Sequence, residues 1–240
     1  MILLLSDIHC HFELINPQIN AAEEKCGCSV DHVLVLGDMG FFPHVVEAFF
    51  QQHPEGFLRP LSCVEGNHED FAALPDLVDR FSDKLAYLPR GTIHTINNIN
   101  FLALGGAAYM DAASTPEGSE ISEDDIATCL SHSPEAVDII ISHDCPKGIG
   151  VKNSKGMEFY GPPGFDRGIE IAVHLNPQYW FFGHYHRWLD LTFRETKFIG
   201  LAEVWKGYAL LSSSGEVVIE KNELERSRTW WERLWFPSWK

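Results

Sequence analysis

The sequence has few basic residues and no long apolar run. Lysine and arginine number 18 against 34 aspartate and glutamate residues, which gives a formal net charge of −16 at pH 7. Such a surface repels a polyanion, so we expect no non-specific binding along nucleic acid. No apolar segment approaches the roughly 20 residues that a membrane-spanning helix needs, so we expect no membrane span. An acidic chain can still carry a positive site, because bound divalent cations are often the largest local charges.

Cysteine is also scarce, with six residues scattered through 240 positions. Cys26 and Cys28 lie closer in sequence than the cysteines of the usual metal-binding and redox motifs. We therefore expect all six thiols to be reduced and none to be catalytic, which is typical of a cytoplasmic protein. The apolar start at residues 1–5 has no basic flank and no cleavage site. It is predicted to be a buried strand and not a secretory signal.

The rest of the composition is that of a globular domain. Hydrophobic residues make up 45% of the chain and charged residues 22%, which is enough for one substantial core. Short apolar runs alternate with helix-like stretches, a pattern typical of α/β layering. Helices are predicted at 13–25 and 44–51 and from near Ser122. Strands are predicted at 2–5, 33–36, 61–64, 92–96, 100–104, 137–141, 179–182, and near 189–193, 197–201, 207–212 and 216–219.

Five short polar motifs each follow the end of a predicted strand. Ligand sites in open α/β sheets lie outside the carboxyl ends of the strands, so the motifs can converge although they are far apart in sequence. Each one alone has an ordinary structural explanation, because Asp often caps a turn and a single His is often a packed or surface residue. The motifs are Asp7-Ile8-His9, Gly37-Asp38, Gly66-Asn67-His68-Glu69, Ser142-His143-Asp144 and Gly183-His184-Tyr185-His186.

Together these motifs supply two carboxylates, one amide and four imidazoles. Two adjacent divalent cations with a mixed preference for nitrogen and oxygen require a ligand set of this kind. Manganese is the favoured metal, and iron, zinc and nickel are the alternatives that such a site accepts. The candidate metal ligands are Asp7, His9, Asp38, Asn67, His143, His184 and His186.

The order D-x-H, G-D, G-N-H-E, S-H-D and G-H-x-H resembles that of the calcineurin-like metallophosphoesterases over residues 7–186. The resemblance implies an α/β fold of the α+β kind, a four-layer αββα sandwich of two mixed β-sheets. It also implies a division of the ligands between two ions, with Asp38 as the bridge. One ion would take Asp7, His9, Asp38 and His186, and the other Asp38, Asn67, His143 and His184.

The same resemblance implies a dinuclear metal-dependent phosphoesterase. A metal-bridging hydroxide would attack phosphorus, and His68 would act as the general acid. The expected substrate is a phosphodiester or phosphomonoester that is small or nucleotide-like. Residues 142–149 and 175–181 resemble RNA lariat debranching enzymes, which favours a phosphodiester, although those enzymes depart from aspartate at the position of Asp7.

Two other functions stay open beside this one. A nuclease or RNA-processing phosphodiesterase fits the likeness to debranching enzymes but not the acidic charge. A non-catalytic metal-binding scaffold fits the fold but has no need of the full ligand set. A phosphoprotein phosphatase is disfavoured, because Met39-Gly40-Phe41-Phe42 follows Asp38 where that family carries a phosphate-clamping arginine.

Residues 147–170 follow His143 and are expected to border the site. Their glycines and prolines indicate a loop, and their basic residues form a local cationic spot in an acidic chain. A phosphate or nucleotide clamp is one explanation, and a solvated loop is the other. The candidate substrate-binding residues are Lys147, Lys152, Lys155 and Arg167.

We predict a single metallophosphoesterase domain over residues 1–220. Residues 221–240 are predicted to form a Trp-rich C-terminal helix or tail that packs on the domain or on a partner, and packing on a second copy would make the protein a homo-oligomer. A membrane-surface anchor and a base-stacking platform are alternatives. The tryptophans of the tail are Trp230, Trp231, Trp235 and Trp239.

Overall fold

The structure is a computed structural model that describes residues 1–226. No helix in this part of the chain combines the length and the apolar character that crossing a membrane requires. The helices are α1 (Ile15–Cys26), α2 (Pro43–Gln52), α3 (Leu74–Arg80), α4 (Glu123–Leu130) and α5 (Gly168–Leu175). The strands are β1 (Ile2–Leu5), β2 (His32–Leu36), β3 (Leu61–Val64), β4 (Ala86–Tyr87), β5 (Ile93–Ile96), β6 (Ile99–Leu104), β7 (Ile139–Ser142), β8 (Tyr179–Phe182), β9 (Leu189–Phe193), β10 (Thr196–Gly200), β11 (Tyr208–Leu211) and β12 (Val217–Glu220).

The strands form two mixed six-stranded sheets. The order in the first sheet is β12-β11-β1-β2-β3-β4, and the order in the second is β5-β6-β7-β8-β10-β9. Strands β1, β2 and β3 are parallel, whereas β11 runs antiparallel to β1. In the second sheet β6, β7 and β8 are parallel, and β5 and β9 pair antiparallel with their neighbours. Parallel strands place their carboxyl ends at one edge, so each sheet brings several motif loops to the same edge.

Alternation along the strands divides the apolar side chains among three cores. Leu3 and Leu5 of β1 pack with the residues of α1, α2 and α3, whereas Ile2 and Leu4 face the second sheet. The opposite face of the second sheet, including Trp180, packs against α4 and α5. Three apolar layers therefore separate four layers of secondary structure, which confirms the predicted αββα sandwich. Because both faces of each sheet are covered, the central strands are almost continuously apolar.

The strongest local signals in the sequence are found at the expected places. Helix α1 ends at Gly27, whose φ of 63° provides the left-handed C-cap, although it begins at Ile15 after a 3₁₀ turn and so later than predicted. Ser122 and Asp125 form the capping box that begins α4. The sequence pattern does not predict α3, α5 or β4. Helix α3 and strand β4 are too short to give a periodic signal, and α5 is short and begins inside the stretch 147–170, whose glycines and prolines indicate a loop.

The expectation that all six cysteines are reduced is wrong. A disulfide joins Cys26 and Cys28 at the end of α1, where the turn at Gly27 brings the two side chains together. Cys63, Cys129 and Cys145 are buried, and Cys10 is half-buried. A cytoplasmic location was inferred in part from reduced thiols, so it stays a prediction.

The last described residues, 221–226, pack back onto the domain. The side chains of Asn222 and Gln18 exchange hydrogen bonds, and the Leu224 amide donates to the carbonyl oxygen of Trp205. The guanidinium carbon of Arg226 lies 3.7 Å from the centre of a Trp205 ring. The Trp-rich segment at 229–240 lies outside the described residues, so the domain boundary after residue 220 and the packing of the tail stay predictions.

Candidate metal centre

The loops that follow β1, β2, β7 and β8 are joined by main-chain hydrogen bonds. The Asp7 and His9 amides donate to the carbonyl oxygens of Gly37 and Asp38, at 3.2 and 2.7 Å. The amide of Gly183 donates to the carbonyl oxygen of His143 at 2.9 Å. The His184 amide donates to the Asp7 carboxylate at 3.2 Å and so joins the loops of the two sheets into one surface.

Asp7, His9, Asp38 and His186 form a compact cluster on this surface, with candidate ligand atoms all within 4.8 Å of one another. His186 Nε2 lies 3.0 Å from His9 Nε2 and 3.2 Å from Asp7 Oδ1. His9 Nε2 lies 3.7 Å from Asp38 Oδ2. The structure thus brings together the four residues that the sequence assigns to one ion.

The remaining candidate ligands lie around the same aspartate. His143 Nε2 is 3.0 Å from Asn67 Oδ1 and 3.4 Å from Asp38 Oδ1. The ring of His184 packs edge-on against that of His143, with the ring centroids 5.0 Å apart. Asp38 therefore contacts both groups of candidate ligands, which is the position that a bridging residue needs. The division of the ligands between two ions stays a prediction.

Hydrogen bonds behind the cluster turn the candidate donor atoms towards its centre. His143 Nδ1 donates to the carbonyl oxygen of Leu36 at 2.8 Å, which leaves Nε2 as the atom that faces Asp38. The Asn67 side-chain amide donates to the carbonyl oxygen of Ser114 at 2.6 Å, so its Oδ1 faces His143. Partners of this kind fix the tautomer and orientation of metal ligands.

One oxygen of Asp38 provides a test of whether a cation fits this site. Oδ1 accepts the Asn67 and His68 amides, each at 2.9 Å. Oδ2 is buried and has no hydrogen-bond partner within residues 1–226. Burying a carboxylate oxygen without a hydrogen-bond partner costs free energy. A divalent cation would be a suitable partner for this oxygen and for the imidazole nitrogens around it.

The backbone at the site is strained in a way that folding alone does not explain. Non-glycine residues with positive φ are uncommon, although aspartate and histidine tolerate them best, and they cluster at functional sites. Gly66 has no room for a side chain either, because a Cβ there would overlap Asp38 Oδ1. Five candidate ligands have a left-handed backbone: Asp7 (φ 51°), His9 (48°), Asp38 (50°), His184 (67°) and His186 (53°).

The electrostatics of the cluster favour bound positive charge. Burial raises the pKa of Asp7, but the charge of His186, a hydrogen bond to His186 and the charge of His143 together lower it to about 2. Burial lowers the pKa of His143, but the charges of Asp38 and Asp7 and the hydrogen bonds to Asp38 and to the Leu36 carbonyl together raise it to about 10. Burial lowers the pKa of His9 to about 4. The Asp7 carboxylate thus stays ionised at neutral pH, which suits the cluster to bind positive charge.

A cleft of about 750 Å³ opens over the cluster. His68 is exposed in this cleft, and the centroid of its ring lies 5.7 Å from that of His9. The position of His68 is therefore compatible with the predicted general acid, and that role stays a prediction. The lining of the cleft also includes aromatic and apolar side chains, namely those of Tyr109, Met110, Met157, Tyr160, Pro162 and Pro163.

The four basic residues predicted to bind substrate have different surroundings. Lys147 lines the cleft, and its Nζ lies 3.0 Å from Asp166 Oδ1. Lys152 and Lys155 are exposed and are not among the described residues that line the cleft. Arg167 is also outside that lining and forms ion pairs with the carboxylates of Glu123 and Glu170. A role of these four residues in substrate binding stays a prediction.

Sequence reasoning misses residues that support the site from behind. The buried Glu69 carboxylate accepts the amides of Met39, Gly40 and Phe41 at 2.6–2.9 Å and so fixes the loop after Asp38. The position of Glu69 within the third motif could have indicated this role. Glu203 is buried beside His186 and pairs with Lys206 in the cleft, and no sequence signal marks either residue.

Comparisons with known proteins agree with this fold. A sequence model of the calcineurin-like phosphoesterases matches residues 1–188. The lariat debranching enzyme of Entamoeba histolytica is 22% identical over an aligned length of 270 residues, gaps included. The alignment covers 95% of this chain and 75% of that protein. The phosphopantetheinyl hydrolase PptH from Mycobacterium tuberculosis superposes with a TM-score of 0.56 at 12% identity, over 85% of this chain and 89% of that one. GAP50, the anchor in the inner membrane complex of Plasmodium, gives a TM-score of 0.55 at 10% identity, over 95% and 89% of the two chains. At such identities the structural likeness shows the fold alone.

Proposed function

The chain belongs to the calcineurin-like phosphoesterase family, and on that premise we propose that it hydrolyses a phosphoester with the help of two divalent metal ions. The observation that carries this proposal is the position of Asp38. Its carboxylate lies between two groups of candidate ligands, and its buried Oδ2 has no hydrogen-bond partner among the described residues. A carboxylate placed in this way is suited to bridge two cations.

Each ion would be held by residues of both sheets. Asp38 would bind both ions. Bound ions of this kind stabilise the phosphoryl group as Lewis acids and lower the pKa of an attacking water. We propose manganese as the metal because the donor set mixes oxygen with imidazole nitrogen. The first ion would take Asp7, His9, Asp38 and His186, and the second Asp38, Asn67, His143 and His184.

The rest of the chemistry falls to the side chains of the cleft. His68 is exposed beside His9, and its amide donates to Asp38 Oδ1 and so holds its backbone at the floor of the cleft. From there it would give a proton to the leaving oxygen. The cleft of about 750 Å³ would admit a phosphoester with two substituents, and we propose a phosphodiester over a phosphomonoester on that ground.

A substrate screen tests this function. The Mn²⁺-loaded protein would be given bis-p-nitrophenyl phosphate, p-nitrophenyl phosphate, 2′,3′-cyclic nucleotides and short RNA. We expect metal-dependent hydrolysis that is faster on the diester than on the monoester and that chelation abolishes. A protein that binds Mn²⁺ and hydrolyses none of these substrates would be the metal-binding scaffold and not the proposed enzyme.

The acid role of His68 has its own test. His68→Ala should keep the metals and lose about 10²–10⁴ in rate on substrates with poor leaving groups, because those groups need the proton. With p-nitrophenolate as the leaving group the loss should be much smaller, since that anion leaves without protonation. The measurement is kcat for a series of diesters of graded leaving-group pKa. An equal loss across the series would contradict the acid role.

A second candidate is an RNA-processing phosphodiesterase. The observation in its favour is the likeness to the Entamoeba histolytica lariat debranching enzyme over 95% of this chain. The net charge of −16 is against it, because the acidic surface outside the cleft would repel an RNA backbone. Binding of a short RNA that weakens steeply with salt would favour this candidate, whereas salt-insensitive binding favours a small substrate.

A further inference from the structure

Glu203 lies beside the metal cluster although it is not one of the candidate ligands. It follows β10 and immediately precedes the 3₁₀ turn Val204–Lys206, and only 1% of its surface is exposed. Its Oε1 is 3.7 Å from His186 Nδ1. Lys206 Nζ lies 2.9 Å from the same oxygen and 2.8 Å from Oε2. One buried carboxylate thus faces two groups that both line the cleft.

The contact with His186 has a consequence for the metal cluster. A carboxylate beside Nδ1 favours the tautomer that carries the proton there, which leaves Nε2 free to face a cation. Nε2 of His186 does lie in the cluster, 3.2 Å from Asp7 Oδ1. Glu203 thus places a negative charge 3.7 Å behind the His186 ring, whereas the Leu36 carbonyl accepts a hydrogen bond from His143 at 2.8 Å.

The contact with Lys206 has a consequence for the cleft. The ammonium is held beside the Glu203 carboxylate, the lysine lines the cleft, and 45% of its side chain is exposed. The chain has no arginine directly after Asp38, so a cation for a phosphoryl oxygen must come from another element. Lysine binds phosphate as a point charge, and a charge-assisted hydrogen bond of this kind is among the stronger ones.

We propose that Glu203 is a positioning residue for His186 and Lys206, and that Lys206 contacts a phosphoryl oxygen of the substrate. Glu203 keeps the His186 ring oriented for a cation and keeps the ammonium at the wall of the cleft. The part that concerns Lys206 rests on the proposed function, whereas the part that concerns His186 rests only on metal binding.

The Glu203 part is tested by calorimetric titration of Mn²⁺ into metal-stripped protein. Glu203→Ala should weaken one class of Mn²⁺ site by about 10- to 100-fold, the usual effect of removing a partner behind a metal ligand. Glu203→Gln should recover part of that loss, because its amide oxygen keeps a partial negative charge beside Nδ1. It also serves as the test variant if Glu203→Ala does not fold. Wild-type Mn²⁺ affinity in a folded Glu203 variant would overturn the proposal.

The Lys206 part is tested by steady-state kinetics with Lys197→Ala as the matched control. Lys197 also pairs with a carboxylate, Asp190, at 3.2 Å, and its side chain is 44% exposed, but it is outside the described lining of the cleft. Lys206→Ala should keep its Mn²⁺ affinity and lose about tenfold or more in kcat/KM on bis-p-nitrophenyl phosphate, mainly through KM. Lys206→Arg should restore part of the lost kcat/KM. A Lys206→Ala variant as active as Lys197→Ala would overturn this part.

Failure of the proposed function would be distinguishable from failure of this inference. If the wild type binds Mn²⁺ but hydrolyses nothing, the proposed function fails, and the Glu203 titration still gives its result. Lys206 is then judged by titrating inorganic phosphate into the Mn²⁺-loaded protein. We expect about tenfold weaker phosphate binding in Lys206→Ala, and unchanged binding would overturn the contact.

Discussion

At the scale of single residues, the site depends most on Asp38. Its two oxygens have different surroundings, since Oδ1 accepts two amides and Oδ2 has no hydrogen-bond partner in the described part of the chain. Burial raises the pKa of Asp38, but the charges of His143, His68 and His9 and a hydrogen bond to His143 together hold that pKa well below its usual range. A carboxylate kept ionised in this way offers a cation a negative charge, which a neutral amide side chain would not.

Asp38→Asn is therefore expected to lose metal. The substitution removes the charge between the two groups of ligands, so Mn²⁺ affinity should fall by more than about 100-fold, beyond the effect of losing a partner behind a ligand. Asp144→Asn is the matched control, because Asp144 is equally buried but accepts hydrogen bonds from Tyr185 and from main-chain amides. Calorimetry that finds equal Mn²⁺ affinity in the two variants would contradict the bridging role.

The sequence allows the candidate ligands to be identified but not the residues behind them. Motif residues such as Asn67 are recognisable because chemistry demands a particular side chain at a particular place after a strand. Glu203 is not recognisable, because its role depends on how β10 and the turn after it pack against another loop. Lys206 is hidden for the same reason, whereas Lys147 was found because it follows His143 closely in sequence.

At the scale of elements, the strands and the turns after them account for the geometry of the site. The bounds of β1, β3, β8 and β9 agree with the prediction. The first three are buried strands bounded by turns, whereas β9 alternates between apolar and polar residues. The left-handed turns that aim the ligands were not predictable in detail. Their φ values depend on contacts between loops, which the local sequence does not encode.

The glycine after β8 gives a test at this scale. A Cβ at Gly183 would overlap Ser6 Oγ and lie 2.7 Å from Asp7 Oδ2. Gly183→Ala should therefore displace Asp7 and weaken Mn²⁺ binding by about tenfold or more, as loss of ligand support does. The control is Gly200→Ala on β10, where the new Cβ would meet only Leu189 and Phe182, at 3.0 Å.

Gly200→Ala should lower the melting temperature through crowding in the core and leave Mn²⁺ affinity unchanged. Both variants need a thermal melt and a Mn²⁺ titration, so that loss of stability is separated from loss of metal. Normal Mn²⁺ affinity in a folded Gly183→Ala protein would contradict the close approach of these two loops.

At the scale of the whole molecule, the site joins the two sheets. Asp7, Asp38 and Asn67 follow strands of the first sheet, whereas His143 and His186 follow strands of the second. The layered arrangement was predictable because alternating apolar runs and helices permit few architectures and the family resemblance selects one. Cations held between the sheets would stabilise the entire fold and not one loop.

Metal should therefore raise the melting temperature of the whole domain. At Mn²⁺ concentrations of about 100 times Kd, binding to the folded state alone contributes about 2.7 kcal/mol, or about 5–10 °C for a chain of this size. Differential scanning calorimetry with and without Mn²⁺ measures this shift. Asp38→Asn should show almost none of it, and a wild-type melt that does not respond to Mn²⁺ would contradict metal binding across the sheets.

The central claim is that five strand-end motifs form one site for two metal ions. Anomalous diffraction from crystals grown with Mn²⁺ tests it most directly. The account predicts two manganese peaks about 3.5–4 Å apart, with the Asp38 carboxylate in contact with both. A single peak, or two peaks of which Asp38 touches only one, would contradict it.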